Sequence, residues 1–585
     1  MKNILYKLIV LLLLVSVGCQ SGKQNNNNNA DKAFTTFEDS FLDAYWKQYP
    51  SNSIYSGYGK YYDRLVIPDS SAFAGNISFS NNWIDSLSKI GYDQLSENNK
   101  ISFKIIRNQL QADTWYTAVF KQQEWDASFY NISGPSDYII NQPYAPLDER
   151  LKILTRYLQH TDDYYKAALN NLHQPTKEHL ELSIMQNQAG TGVFGAALSD
   201  SINASHLTEI EKDSLHQNIN KSVAAMNAFT AALKKIVADK NYTFRSFRIG
   251  KKLFDEKFRY DIVTDLTAEQ VYAKAVADKQ LYHQKMFVLA DGMWSKYYAT
   301  LPKPKDSLQL VQFVLNKIQL NHPKPADFFN TVKNQVYELK KFILEKKLFD
   351  FDTNAAPITT RYMPGYARGV TLASAEFIPP YQKQGATYYN VDDLTLYTPE
   401  KAESALRETN EYSSQILSMH EAVPGHCMQG IYNNKKSPDV VRSVFQNGAM
   451  TEGWAVYIER MMVENGWGNH APEMELVLDV LELRSVANTM IDYEMQCLNK
   501  PEKEIVQFLS KECFQTDAQV KEKYHRATVS QVQLCSYYTG ATAILSLRDE
   551  YKKKMGDRYS LKDFHEVFLS FGSSPVKYIR ESMLR

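Results

Sequence analysis

Residues 420–426 read HEAVPGH, and residues 451–459 read TEGWAVYIE. Two imidazoles and a carboxylate suit a borderline-soft divalent ion, and three protein ligands leave a fourth position open, as in catalytic rather than structural zinc. His420, His426 and Glu452 are the ligand set to which this pattern points, for one zinc per chain. Glu421 follows the first of them directly, where a carboxylate takes a proton from metal-activated water and later passes it to a leaving group.

The spacing decides how the chain must run. In the common H-E-x-x-H pattern the histidines are four apart and share one helix face. Here they are six apart, and at about 3.6 residues per turn a straight helix would point them in different directions. Pro424 lacks an N–H, its ring clashes with the carbonyl of His420, and it drives Val423 out of helical geometry. Gly425 permits backbone angles that other residues resist. The expectation is a distorted turn at Pro424 and Gly425 that swings His426 back towards His420. Glu459 lies seven residues beyond Glu452 and shares its helical face. Glu452 is preferred as ligand because Gly453 beside it lets the backbone approach another element.

At these residues the chain resembles the bacterial domain-of-unknown-function family 885, whose HExxPGH and TEGW signatures appear as HEAVPGH and TEGW. That family looks like a metallopeptidase branch akin to the thimet oligopeptidase and carboxypeptidase Taq groups. The likeness extends to YPSNSIYSGYGKYYDRL near the start, SFRIGKKLFDEKFRY in the middle, and IPPYQKQGATYYNV before the metal motif. It implies a two-lobed, zincin-type fold with a β-edge beside the metal, where an extended peptide adds as a strand, and a helical N-terminal lobe that limits substrate length. There are departures from the family pattern. Gln496 stands where the family has a histidine, Gln531 and Val532 stand where it has Pro-Gly, and Gly59 stands where it often has histidine.

Hydrolysis needs a donor aimed at the developing oxyanion. The C-terminal segment that resembles a family motif contains His525, Arg526, Tyr537 and Tyr538. Tyr537 and Arg526 are the catalytic candidates there, and Tyr388 is a candidate for lining the substrate cleft.

The N-terminus gives an address. Lys2 and Lys7 precede an apolar run from Leu8 to Val17, too short for a spanning helix and typical of a signal peptide. It ends Ser16-Val17-Gly18-Cys19, resembling a lipobox in which Ser16 replaces the usual leucine. This predicts a signal peptide over 1–18 and lipid on Cys19. A polar tether over 19–32 follows, with QSGKQNNNNNA lacking any apolar period. No acidic residue stands directly after Cys19, where Gln20 follows, which resembles an outer-membrane lipoprotein anchored to the membrane by its lipid alone.

Lys plus Arg and Asp plus Glu are equal at 66 each. That balance argues against a nucleic-acid partner or a polybasic membrane patch. With 585 residues the chain exceeds one core, so a helical N-terminal lobe over 33–245 and a catalytic lobe over 246–585 are expected. Apolar residues from Leu215 through Ile219, Val223, Met226, Phe229, Leu233 and Ile236 recur at helical spacing. Thr267 with Gln270 forms a capping box, and Thr398-Pro399 opens a helix ahead of the metal motif. Between about 356 and 396 β-branched and aromatic residues with Gly and Pro mark a small sheet or hairpin. Cys427, Cys497, Cys513 and Cys535 have no spacing that dictates pairing, and Cys427 reads as a buried small side chain.

The fold expectation is therefore mainly α with a small sheet beside the site. The functional expectation is a lipid-anchored zinc metallohydrolase of the envelope that cleaves short peptides. Alternatives are a zinc hydrolase of non-peptide amides or esters, and a surface-anchored binding protein that has lost turnover.

Overall fold

A computed structural model describes residues 29–350, 357–364, 371–382 and 385–585. The signal peptide, Cys19 and residues 19–28 of the tether lie outside the described residues. Helix begins at residue 29, so the last four residues assigned to the tether belong to the folded body. Phe34, Phe37 and Phe41 of this helix pack into an aromatic core and give it an apolar face.

The chain is mainly helical, and the local signals in the sequence operate as expected. The periodic stretch lies within helix Glu209–Ala238, where Leu215, Ile219, Met226, Phe229 and Leu233 are buried. Its start is fixed by a capping box of Thr208 and Glu211. Thr267 and Gln270 cap helix Ala268–Tyr298, and Thr398 accepts from Lys401 N at the start of helix Pro399–Glu408. No helix among the described residues is long and apolar enough to cross a membrane.

Among the described residues four cores organise the packing. One is built from residues between Ile54 and Leu233, another from the N-terminal helices together with Val441. A third, centred on helices Ala268–Tyr298 and Pro472–Gln496, also takes in Trp115, Phe120 and Trp125 from the first quarter of the chain. The fourth surrounds the HEAVPGH segment. Arg442 joins N- and C-terminal parts. Its guanidinium is fully buried, donates to Ser102 Oγ and Asn98 O, and faces Asp439.

Among the described residues the expected sheet has three strands, β1 Ile358–Tyr362, β2 Ala373–Glu376 and β3 Thr387–Val391. Their order is β1-β3-β2, with β1 parallel and β2 antiparallel to β3. Its contacts set it against the metal motif. Cys427 Sγ donates to Tyr388 O, Tyr389 OH lies 3.3 Å from Ser418 Oγ, and Phe377, just past β2, lies against Gly430 so closely that a Cβ there would be 2.6 Å from its ring.

Candidate metal centre

The HEAVPGH segment is the junction of two helices. Helix Ser413–Glu421 ends at the general-base candidate, and helix His426–Lys436 begins at the second histidine. Gln335 braces the first helix from one side, donating to Ser414 Oγ and accepting from Ser418 Oγ. Between the helices the Val423–Pro424 peptide is cis, and Trp454 Nε1 donates to Pro424 O at 3.0 Å. The tryptophan of TEGW therefore holds the turn inside HEAVPGH.

The turn does bring the histidines together, their ring centroids 4.8 Å apart and nearly perpendicular. Gly425 sits at φ −78° and ψ −137°, outside the helical and extended regions that residues with a Cβ favour, and a Cβ there would lie 1.8 Å from His420 O and 2.3 Å from Met419 O. Backbone angles and space both favour glycine at this position.

Helix Gly448–Glu464 supplies the carboxylates. Asn447 caps it by accepting from Met450 N. Gly453 lets it cross helix Ser536–Met555 at Gly540, since a Cβ on Gly453 would sit 2.4 Å from Gly540 Cα and one on Gly540 would sit 1.7 Å from Ala449 O. Glu452 and Glu459, two turns apart on one face, meet opposite edges of His420. Its Nε2 is 3.9 Å from Glu452 Oε2, and its Nδ1 is 2.6 Å from Glu459 Oε1. His426 Nε2 is 3.7 Å from the same Glu452 oxygen.

Ligand atoms of His420, His426 and Glu452 all lie within 4.8 Å of one another. Two bonds of about 2.1 Å to zinc span up to about 4.2 Å, so the separations to Glu452 suit one ion. A Glu459 carboxylate on Nδ1 leaves Nε2 as the free donor and fixes the ring, the usual support of a ligating histidine. The donor set fits zinc. Burial disfavours a charged His420, but Glu459, Glu421 and Glu452 outweigh it and raise its pKa to about 9. Burial likewise raises Glu459. It works the same way on Glu452, where His426, His420 and Arg526 prevail and hold the carboxyl below its ordinary range.

Glu421 is partly exposed and makes no hydrogen bond among the described residues, with Tyr389 and Cys427 as its electrostatic neighbours besides His420. Its carboxylate is thus unengaged. Arg526 Nη2 donates to Tyr537 OH at 3.0 Å and to Gln533 Oε1 at 2.8 Å, and both Arg526 and Tyr537 feel the charge of Glu452. The other two C-terminal candidates point elsewhere. Tyr538 OH donates to Asp278 at 2.6 Å, and His525 is exposed. Cys427 is buried, and it, Cys497, Cys513 and Cys535 are all free thiols.

Tyr388 lines a cavity of about 1980 Å³ walled by the N-terminal half on one side and by Arg361, Glu376 and Phe377 on the other. Arg361 stacks 3.5 Å over the Tyr388 ring and pairs with Glu376 at 2.7 Å. Gly57, with φ +79°, approaches Pro379 so closely that a Cβ would be 2.8 Å away, so the YPSNSIYSGYG and IPPYQ segments meet at this wall. Gly59 also lines it. Gln496 is remote in role. It is fully buried, accepts from Ile249 N and donates to Ala527 O, while Arg248 beside it donates to Met495 O and Lys500 O. The glutamine is a strut under the SFRIG segment rather than a group in the metal cluster. Val532 is buried at φ +71°, a conformation costly for a β-branched residue, in the position where the resembled family has glycine.

A mainly helical protein with a His-His-Glu cluster at a broken helix is the class that fold and site define. The family described as bacterial protein of unknown function (DUF885) matches residues 50–583, and the chain belongs to that family. A structure described as a candidate lipoprotein of unknown function from Shewanella oneidensis is similar at 39% identity and TM-score 0.86, covering 94% of this chain and 100% of that one. A second candidate lipoprotein, from Colwellia psychrerythraea, shares the fold at 15% identity and TM-score 0.76, with 95% and 98% covered. No curated protein matches the chain.

Proposed function

We propose that the chain is a zincin-type, zinc-dependent metallohydrolase that cleaves short peptides in the cell envelope, held to the outer membrane by lipid on Cys19. The observation that carries the reading is the convergence of His420, His426 and Glu452 with an unengaged Glu421 beside them. The similarity to the Shewanella candidate lipoprotein supports the anchored location.

His420, His426 and Glu452 would hold the ion, which when bound supplies Lewis acidity at the scissile carbonyl and lowers the pKa of water. Glu421 takes the proton of the attacking water and delivers it to the leaving nitrogen. Tyr537 accepts from Arg526 through its oxygen, so its own proton remains free to donate to the oxyanion. The β2 edge and the large cavity beside Tyr388 receive the extended substrate. Glu421→Gln tests the assignment, with metal content retained and peptide turnover lost as the expected result. Turnover at the parent rate would contradict it.

A further inference from the structure

Outside the ligand set, two cations share a half-buried position with their donors unfilled. Arg484, on helix Pro472–Gln496, has a side chain 24% exposed and makes no hydrogen bond among the described residues. Its Nε is buried without a partner, and its one ion pair, to Glu408, is a long 3.6 Å. Lys523, on helix Asp517–Val529, also makes no hydrogen bond or ion pair among the described residues and sits close to Arg484 and Arg526. Glu522 and Glu408 are the carboxylates that face it, and Glu522 is exposed. Burial and the two guanidiniums together push Lys523 down to about 7.

A guanidinium has five N–H donors and an ammonium three, and removing such groups from water without partners is costly. Proteins place cations so where an anion completes them, and arginine matches a carboxylate with two parallel bonds. Arg526, one turn after Lys523, connects this pair to the candidate centre through Tyr537 and the field of Glu452.

We infer that Arg484 and Lys523 form a carboxylate-binding subsite beside the metal centre, which deepens the peptidase reading and rests on it. The carboxylate is either the C-terminus of the substrate, making the protein a carboxypeptidase, or an acidic side chain next to the cleaved bond.

Binding to the full folded domain carrying Glu421→Gln separates these sources without relying on turnover. Calorimetry compares an N-acetylated neutral tripeptide as free acid, the same tripeptide as C-terminal amide, and an amide carrying one glutamate. One or two charge-assisted hydrogen bonds predict that the free acid binds about 10- to 100-fold more tightly than the neutral amide. Tight binding of the glutamate amide, with the free acid no tighter than the neutral amide, assigns the carboxylate to a side chain. Adding Arg484→Gln and Lys523→Gln should bring the ratio near one, while Arg484→Lys with Lys523 intact keeps part of it, and a thermal melt identifies any variant that fails to fold. Equal binding of acid and both amides, or binding of none, overturns the subsite. Absence of cleavage by the parent protein alongside a preserved acid preference would instead count against the peptidase reading alone.

Discussion

Glu459 Oε1 lies 2.6 Å from His420 Nδ1, while Glu452, two turns earlier on the same helix, faces Nε2 of the same ring. One helix thus supplies both a ligand candidate and the group that orients another ligand. Glu459→Gln should keep the fold, because an amide preserves size and can still accept from the ring, yet weaken zinc binding by about 10- to 100-fold. Competition against a chelator of known affinity measures it.

Close approach of backbones governs Gly425, Gly453 and Gly540. Gly425→Ala and Gly453→Ala each place a Cβ inside main-chain atoms that cannot retreat without moving a helix. Each should cost about 4 kcal/mol or more, seen as a lowered denaturation midpoint. Gly292 gives the opposite result. It is exposed in the middle of helix Ala268–Tyr298 with nothing within 4 Å of a Cβ, so Gly292→Ala should stabilise by up to about 1 kcal/mol.

Tyr537 and Arg526 are expected to act on the transition state. Tyr537→Phe should lower kcat by about 100-fold with little change in KM, the pattern of a lost oxyanion donor. Arg526→Gln should have a smaller effect on kcat, since it loses the orientation of the hydroxyl but not the hydroxyl itself. Steady-state kinetics on one peptide decides both.

His565 makes stability depend on pH. It is fully buried, stacked on Phe349 and hydrogen-bonded to Tyr457 OH and Leu348 O. Burial pushes its pKa down to about 3. The folded form is neutral where the unfolded chain takes up a proton, so this contribution is intact above pH 6.5 and is lost as pH falls towards 3. The slope is about 1.4 kcal/mol per pH unit. Denaturant unfolding at pH 7 and pH 5 should therefore differ by about 2 kcal/mol less in His565→Gln than in the parent chain.

Local chemistry was legible in the sequence and long-range contact was not. Pro424 announced a break, Thr267 with Gln270 announced a helix start, and the β-branched run between 356 and 396 announced strands, because each signal acts within a few residues. Glu459 was visible as a neighbour on the face of Glu452, but its meeting with His420 Nδ1 depends on how two helices are placed. Gly425 has the unusual dihedrals its place after Pro424 announces, while its close pass by the carbonyl of His420 is visible only in the folded chain. Gln496, which stands where the resembled family has histidine, is a buried joint to the backbone of Ile249 and Ala527. Arg484 and Lys523 carry no motif at all, and only their unfilled hydrogen-bond donors in space single them out.

Metal analysis of the purified soluble part, coupled to a peptide digest with and without chelator, tests the central claim most directly. One zinc per chain and cleavage that stops with chelator and returns with zinc are predicted. A chain that binds no metal, or one whose cleavage of peptides is indifferent to the chelator, would contradict it.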